Sequence, residues 1–155
     1  MSIQNKTILE IQNLSVNFKL KEKVSSAVKS ISLKINQGKT LALVGESGSG
    51  KSVTALSILQ LLPFKIASHS PKSSIKLNGE ELINMKHEKI RSIRGDSIAM
   101  IFQEPMTSLN PYQKVGNQIE EILIVHQGLK RKIARERTIT LLEKVRIPKP
   151  IINYS

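Results

Sequence analysis

The octapeptide Gly45-Glu46-Ser47-Gly48-Ser49-Gly50-Lys51-Ser52 restricts this chain more than any other feature. Its spacing is G-x-x-x-x-G-K-[ST]. Glycines at 45, 48 and 50 let the backbone wrap tightly, so that consecutive N–H groups turn inward as an anion-binding nest. The flanks sharpen the reading. Thr40-Leu41-Ala42-Leu43-Val44 is an apolar run that enters the loop as a buried strand does, and Val53, Leu56, Leu59 and Leu62 leave it at helical spacing. The positive end of such a helix adds to the attraction for phosphate. In that setting Lys51 reaches the β- and γ-phosphates as a point charge, and the Ser52 hydroxyl ligates the Mg²⁺ that bridges them. A Gly/Ser-rich surface loop holding a chance lysine is the alternative, and a strand before and a helix after argue against it. The pattern predicts binding of a nucleoside triphosphate.

At 155 residues the chain is long enough for one domain with a real core. It has no cysteine, so neither disulfides nor thiolate-held metal stabilise it, which fits a reducing cytoplasm. Residues 1–25 lack the apolar block of a signal peptide, because Lys6, Glu10, Lys19, Lys21, Glu22 and Lys23 interrupt it. No run approaches the roughly 18 apolar residues that cross a bilayer, so membrane association is expected to be peripheral. The net charge of +12 raises the question of nucleic acid. Aromatic content of 3% leaves no stacking residues interleaved with the basic ones. The densest cluster, Lys130-Arg131-Lys132 with Arg135 and Arg137, precedes Ile139, Leu141, Leu142 and Val145 and reads as the solvated face of an amphipathic helix. No nucleic-acid partner is expected.

The N-terminal third reads as β structure. Leu9, Ile11, Leu14, Val16 and Phe18 mark a first strand with a break near Asn13, and Lys19–Ala27 reads as a solvent loop. Val28–Ile35 alternates, with Ile31, Leu33 and Ile35 on one face and Ser32 and Lys34 on the other. Gln37-Gly38-Lys39 turns the chain into the run before the glycine loop, and the helix after that loop is expected to stop at Pro63. Lys65–Ser74 reads as a connector. Ile75–Leu82 is a hairpin around Asn78-Gly79, followed by a short helix over Lys86–Ile93 that ends near Gly95. Ile98–Phe102 is a second apolar strand. Helices are expected near Val115–Gln127 and Arg131–Val145, with Gly128 between them.

Ile98-Ala99-Met100-Ile101-Phe102-Gln103-Glu104-Pro105-Met106-Thr107-Ser108-Leu109-Asn110-Pro111, taken with the glycine loop, resembles the ATP-binding subunits of ABC transporters. Within that family, Glu46-Ser47-Gly48 and Met106–Pro111 are similar to the importers of oligopeptides, dipeptides and nickel. The resemblance covers about Ile8 to Val145. It implies an α/β P-loop NTPase fold, a truncated ABC nucleotide-binding domain with an N-terminal β subdomain and parts of the RecA-like core and helical subdomain. The whole of 1–155 is then a partial domain. Implied cofactors are ATP and Mg²⁺, with nucleotide contacts at Gly45, Glu46, Ser47, Gly48, Ser49, Gly50, Lys51, Ser52 and Val53. Lys51 and Gln103 fall at catalytic positions, and Ser52 and Gln103 at metal positions. Gln103 matches the Q-loop glutamine, whose amide offers an acceptor to a metal and donors to oxygen. Phe18 falls near the aromatic that stacks on adenine, although an aromatic at this spacing equally suits a core. Implied partners are transmembrane permease subunits, which Met106–Pro111 would adjoin, and a second ATP-binding subunit, identical or not, at the cytoplasmic face of the membrane. A separate C-terminal polypeptide remains an open partner.

The family's other motifs are not found here. After Gly50 the glycines are Gly79, Gly95, Gly116 and Gly128, so no Ser-Gly-Gly signature occurs. The single aspartate, Asp96, precedes the apolar run Ile98–Phe102 instead of following it, and Ser97 comes next, so it reads as a turn residue. Glu104 is a poor substitute base. None of His69, His87 and His126 has the context of the family's switch histidine, and all three are expected at the surface. The expectation is the N-terminal part of an ATPase subunit, from a split or truncated gene, that binds ATP–Mg²⁺ weakly and turns it over negligibly; the alternative is a non-catalytic or vestigial nucleotide-binding fragment.

Overall fold

A computed structural model describes residues 6–21, 23–103 and 109–151. The chain divides into two compact units, residues 1–91 and 92–155. In the first, β1 (Thr7–Leu20) lies between β2 (Lys23–Asn36) on one side and β3 (Ala67–His69) and β4 (Ser74–Leu77) on the other, with β5 (Glu80–Glu81) beyond β4. Every ladder is antiparallel. The expected alternation of β1 holds, since Leu9, Ile11, Leu14 and Val16 are all buried. The break near Asn13 is present too. Asn13 and Ser30 both take positive φ, and the β1–β2 register shifts on either side of Leu14. Serines repair the interrupted ladder there: Asn13 N–H donates to Ser32 Oγ, Ser30 N–H to Ser15 Oγ and Ser15 N–H to Ser73 Oγ, each at 2.9–3.0 Å. Backbone groups paired in this way avoid the penalty of burial without a partner.

Lys19–Ala27 is not a loop. Leu20 pairs with Lys23, Lys19 with Val24 and Asn17 with Ser26, which closes the β1–β2 ribbon far earlier than its composition suggests. Val24, Ser25 and Ser26 are exposed, so this end of the ribbon needs no apolar face and leaves no alternation to read. The connector Lys65–Ser74 likewise contains a strand, β3, held to Val16–Phe18 of β1.

The Asn78-Gly79 hairpin forms as expected, with positive φ at both residues joining β4 to β5. Glu81 anchors it. Its carboxylate accepts from Ile75 N–H at 2.9 Å, Ile83 N–H at 3.1 Å and the Ser74 hydroxyl. Partial burial pushes this carboxyl upward, but the Ser74 and two backbone donors outweigh burial and hold it below its usual 4.5.

Helix α1 (Lys51–Ile58) follows the glycine loop. It does not run to Pro63. Gln60 turns into the left-handed region at φ 51°, with Gln60 N–H bonded to Ser57 O and Leu61 N–H to Leu56 O. That pair of reverse bonds is a Schellman ending, here without glycine. His69 is also not a surface residue. It is half-buried on β3, its Nε2 is shielded from solvent with no partner, and burial lowers its imidazole below 6.5.

The short helix α2 (His87–Ile93) carries the chain from the first unit into the second. There α3 (Val115–Gln127) and α4 (Arg131–Lys144) pack together across Gly128, which closes α3 at φ 64°. Ala134, Thr138 and Leu142, one α-helical turn apart, are the buried stripe of α4, while Lys130, Arg131, Lys132, Arg135 and Arg137 are exposed. The basic run is therefore the solvated face of an ordinary helix. Gly95, with φ 85°, lies so close to His126 that a Cβ there would meet its ring at 2.8 Å, so His126 is a packing residue and half-buried.

Both expected core strands depart from the sequence reading. Thr40–Val44 and Ile98–Phe102 form no ladder, and Leu41, Leu43, Val44, Ile101 and Phe102 are all exposed. An apolar run encodes a buried strand only where neighbouring strands supply the hydrogen bonds. Among the described residues none does, apart from an isolated Arg94–Ile98 bridge.

Candidate nucleotide-binding site

The glycine loop emerges from Val44 and ends on α1 of the first unit. Residues 45–49 are exposed and Gly50 is buried. Two positions demand glycine for different reasons. At Gly50, φ is 91°, and a Cβ would meet Ala27 O at 2.5 Å and Val28 Cγ2 at 3.1 Å, because the loop end lies directly against β2. At Gly48, φ is 80° with open space around it, so backbone conformation alone makes the demand. The loop also closes tightly at its start, where a Cβ on Gly45 would lie 2.7 Å from Ser49 Oγ.

Gly50 is the N-cap of α1, and no side chain caps the first turn and no acid stands in it. The partial positive charge at this helix start is thus left uncompensated. Thr54 locks the junction. Its N–H and its Oγ1 both reach Gly50 O, at 2.8 and 2.9 Å, and it is almost wholly buried. Sequence reasoning passed over Thr54, although a threonine four residues after the loop's last glycine carries the signal of such a bond.

Lys51 folds back over the loop. Its Nζ donates to Glu46 O at 2.6 Å, Gly45 O at 2.7 Å and Ser49 Oγ at 3.3 Å. An ammonium group therefore stands inside a ring of loop atoms at the positive end of a helix. The Ser52 side chain is exposed at that end, and Val53 is half-buried. This arrangement suits a polyphosphate. The chain wraps where a Cβ would clash, cationic charge sits at its centre, and a hydroxyl faces solvent where a metal could reach it.

Phe18 belongs to the same unit. It lies half-buried on β1, paired with Ser25 and Ala67. A cavity of about 560 Å³ elsewhere in this unit is lined by Gln60, Phe64, His69, Ser73 and Asn84, and the phosphate loop takes no part in it. Gln103 is in the second unit and exposed, while Glu104 and Met106–Ser108 fall outside the described residues. Past Asn110 the chain is anchored. The Gln118 side chain accepts from Asn110 N–H at 2.9 Å and donates to Asn110 O and Gln113 O, fastening Asn110–Gln113 to α3. Nothing in the sequence singled out Gln118. Among the described residues no three acidic or histidine side chains gather as a metal site.

The model of the family described as ABC transporter matches residues 28–153, most of the chain. The chain belongs to the ABC transporter family. It is 48% identical over 141 residues to the ABC transporter ATP-binding protein YejF of Escherichia coli, covering 91% of this chain and 26% of that protein. To the oligopeptide transport ATP-binding protein OppD of Bacillus subtilis it is 41% identical over 143 residues, covering 92% of this chain and 40% of OppD. The chain thus spans between a quarter and a half of the length of such relatives. Its fold superposes on the dimeric ATP-binding cassette MJ0796, bound to ADP and Pi, with a TM-score of 0.77, at 22% identity and over 92% of this chain and 59% of that one. The fold class is accordingly part of a P-loop ABC cassette, as the resemblance implied. No described helix of this ABC family member is long and apolar enough to cross a membrane.

Proposed function

We propose that this chain carries the triphosphate-gripping part of an ABC importer's ATP-binding subunit, one that moves peptides or similar small solutes. The observation that carries the reading is the Lys51 ammonium, closed over the glycine loop at the uncapped start of α1. The names of the relatives support the cargo class, since YejF is an ABC transporter ATP-binding protein and OppD an oligopeptide transport ATP-binding protein. In this role the loop N–H groups hold the β- and γ-phosphates, and Lys51 exchanges loop carbonyls for phosphate oxygens. Ser52 would be a ligand to Mg²⁺, as would Gln103 by its place in the family's motif, and the ion would supply charge neutralisation at the phosphates. Phe18 offers its ring to adenine. Partners are permease subunits and a second ATP-binding subunit at the cytoplasmic face of the membrane, with the chain bound peripherally. Turnover needs several groups held together, and residues 1–155 lack an Asp-Glu pair at the end of an apolar strand, so they bind without appreciable hydrolysis.

Calorimetric titration tests this. ATP with Mg²⁺ should bind and AMP should not, and Lys51→Ala should weaken ATP roughly ten- to a hundredfold, the worth of a charge-assisted contact. Equal affinity for ATP and AMP, or an unaffected Lys51→Ala variant, refutes it.

A further inference from the structure

The cavity of about 560 Å³ in the first unit takes no part in the phosphate loop. Three short segments wall it: the turn after α1, β3 with the loop that leads to β4, and Ile83-Asn84 beyond β5. All belong to one compact unit, so the hollow needs nothing from elsewhere to exist. Its size lies within the roughly 300–1,000 Å³ of small-molecule sites. Its chemistry is selective. None of the described residues that line it carries a fixed charge, and Lys65 and Lys72 in the same segments are exposed and stand outside it. A charged ligand would lose water there and gain no counter-ion, which disfavours phosphates and carboxylates.

The wall offers an apolar surface and a polar edge. Leu62 and Ile83 are half-buried, and the Phe64 ring is 87% exposed. A ring left so open gives an incoming ring a face or an edge to pack on. Ser68 and Asn84 are exposed as well, so a hydroxyl and an amide, each able to donate and accept, are open to hydrogen bonding. His69 joins them on the wall with a buried Nε2 that no described residue satisfies. Buried polar atoms are normally paired, and this one calls for a partner from outside the protein. Burial also keeps the imidazole neutral near pH 7, so it offers a donor and an acceptor instead of a charge. We propose that this cavity is a second binding site, separate from the phosphate loop, for a small uncharged aromatic amide. The ligand's ring packs on Phe64 and against Leu62 and Ile83, and its amide bonds to Asn84, Ser68 and the imidazole. Gln60, just past the C-terminal end of α1, belongs to the same wall, whereas Lys51 starts that helix about 12 Å away along its axis. The two ligands therefore do not compete, and the proposal does not depend on the nucleotide-binding reading.

Benzamide is the probe, titrated into the full chain and followed by nuclear magnetic resonance of backbone amides and the His69 ring, with benzoate and toluene as controls. Benzamide should saturate with a dissociation constant on the order of 1 mM, about what so small a ligand attains. Signals of Phe64, Ser68, His69 and Asn84 should move together, while those of Gly48–Ser52 stay in place. Benzoate keeps the shape but carries a charge, and should bind roughly tenfold more weakly or worse. Toluene keeps the ring but makes no hydrogen bond, and should also bind more weakly. Phe64→Ala should weaken benzamide about three- to tenfold, the worth of one aromatic contact. Asn84→Gly suits the φ of 60° at that position and should weaken it about two- to tenfold through the lost hydrogen bond. Both side chains are exposed, so unchanged β1 and β2 signals show that the variants fold. Saturating ATP–Mg²⁺ should leave benzamide affinity unaltered. Shifts that never saturate, or that fall on the phosphate loop, overturn the proposal. So does benzoate or toluene binding as tightly as benzamide, or a pair of variants that bind it like the parent. Displacement by ATP overturns it too, since the two sites would then be one. An absence of any shift, with water alone satisfying His69 Nε2, has the same force.

Discussion

Gly50→Ala should be far more damaging than Gly48→Ala, although both glycines occupy the same loop with similar positive φ. At Gly48, φ is 80° and a Cβ would meet nothing within 4 Å. Its alanine variant bears only the left-handed conformation, about 1–2 kcal/mol. At Gly50, φ is 91° and the new Cβ would stand 2.5 Å from Ala27 O, a backbone atom of β2 that cannot swing aside. Overpacking of that kind adds about 1–3 kcal/mol, for a total of roughly 2–5 kcal/mol. That is a large share of the about 5–15 kcal/mol that holds a typical domain together. Because Gly50 caps α1, the shift also moves Lys51 and the start of the helix, so ATP affinity should fall with stability. Urea denaturation followed by far-UV circular dichroism gives the free energies. A Gly50→Ala variant within about 0.5 kcal/mol of Gly48→Ala would refute the close approach of loop and β2.

Three further outcomes rest on the packing. Leu14 is fully buried on β1, so Leu14→Ala should destabilise by about 2–5 kcal/mol in the same assay. Glu81→Ala frees two backbone donors and a hydroxyl in a partly exposed site and should lose about 1–2 kcal/mol near neutral pH. Because the folded Glu81 carboxyl sits below 4.5, its contribution is present above that pH and disappears as pH falls through the folded value, so the parent and variant should converge in acid. A gap that stays constant down to pH 2 contradicts this. For His69, burial makes the unfolded chain take up its proton first on acidification. Stability tied to this residue is present above pH 6.5 and lost below it, so His69→Leu should gain on the parent between pH 8 and pH 5, as denaturation midpoints would report.

The sequence was most legible where local chemistry decides structure. Asn78-Gly79 specified its hairpin because both residues tolerate positive φ, and Gly128 placed the end of α3 for the same reason. The alternation in β1 and along Ile31–Ile35 survived because each strand has one face toward a core. The phosphate loop was legible as a motif, and its folding onto α1 follows from its glycines. Failures came where the deciding partner was distant. Gln60 ends α1 through a conformation that glutamine does not advertise, ahead of the proline that seemed to decide it. Ribbon pairing at Lys23–Ala27 depends on β1's backbone and leaves no apolar signature. His69 sits in a polar stretch, yet β3 pairs with β1 and carries it inward. Thr40–Val44 and Ile98–Phe102 read as apolar strands, yet both runs are exposed and form no ladder, since a ladder needs a second strand that composition cannot supply.

Residue-resolved amide exchange across the phosphate loop, with and without ATP–Mg²⁺, bears most directly on how this chain grips its ligand. Exchange at Gly48, Gly50, Lys51 and Ser52 should slow on adding ATP, while α4 in the second unit stays unchanged. Unaltered exchange at those four amides under saturating ATP would contradict the account.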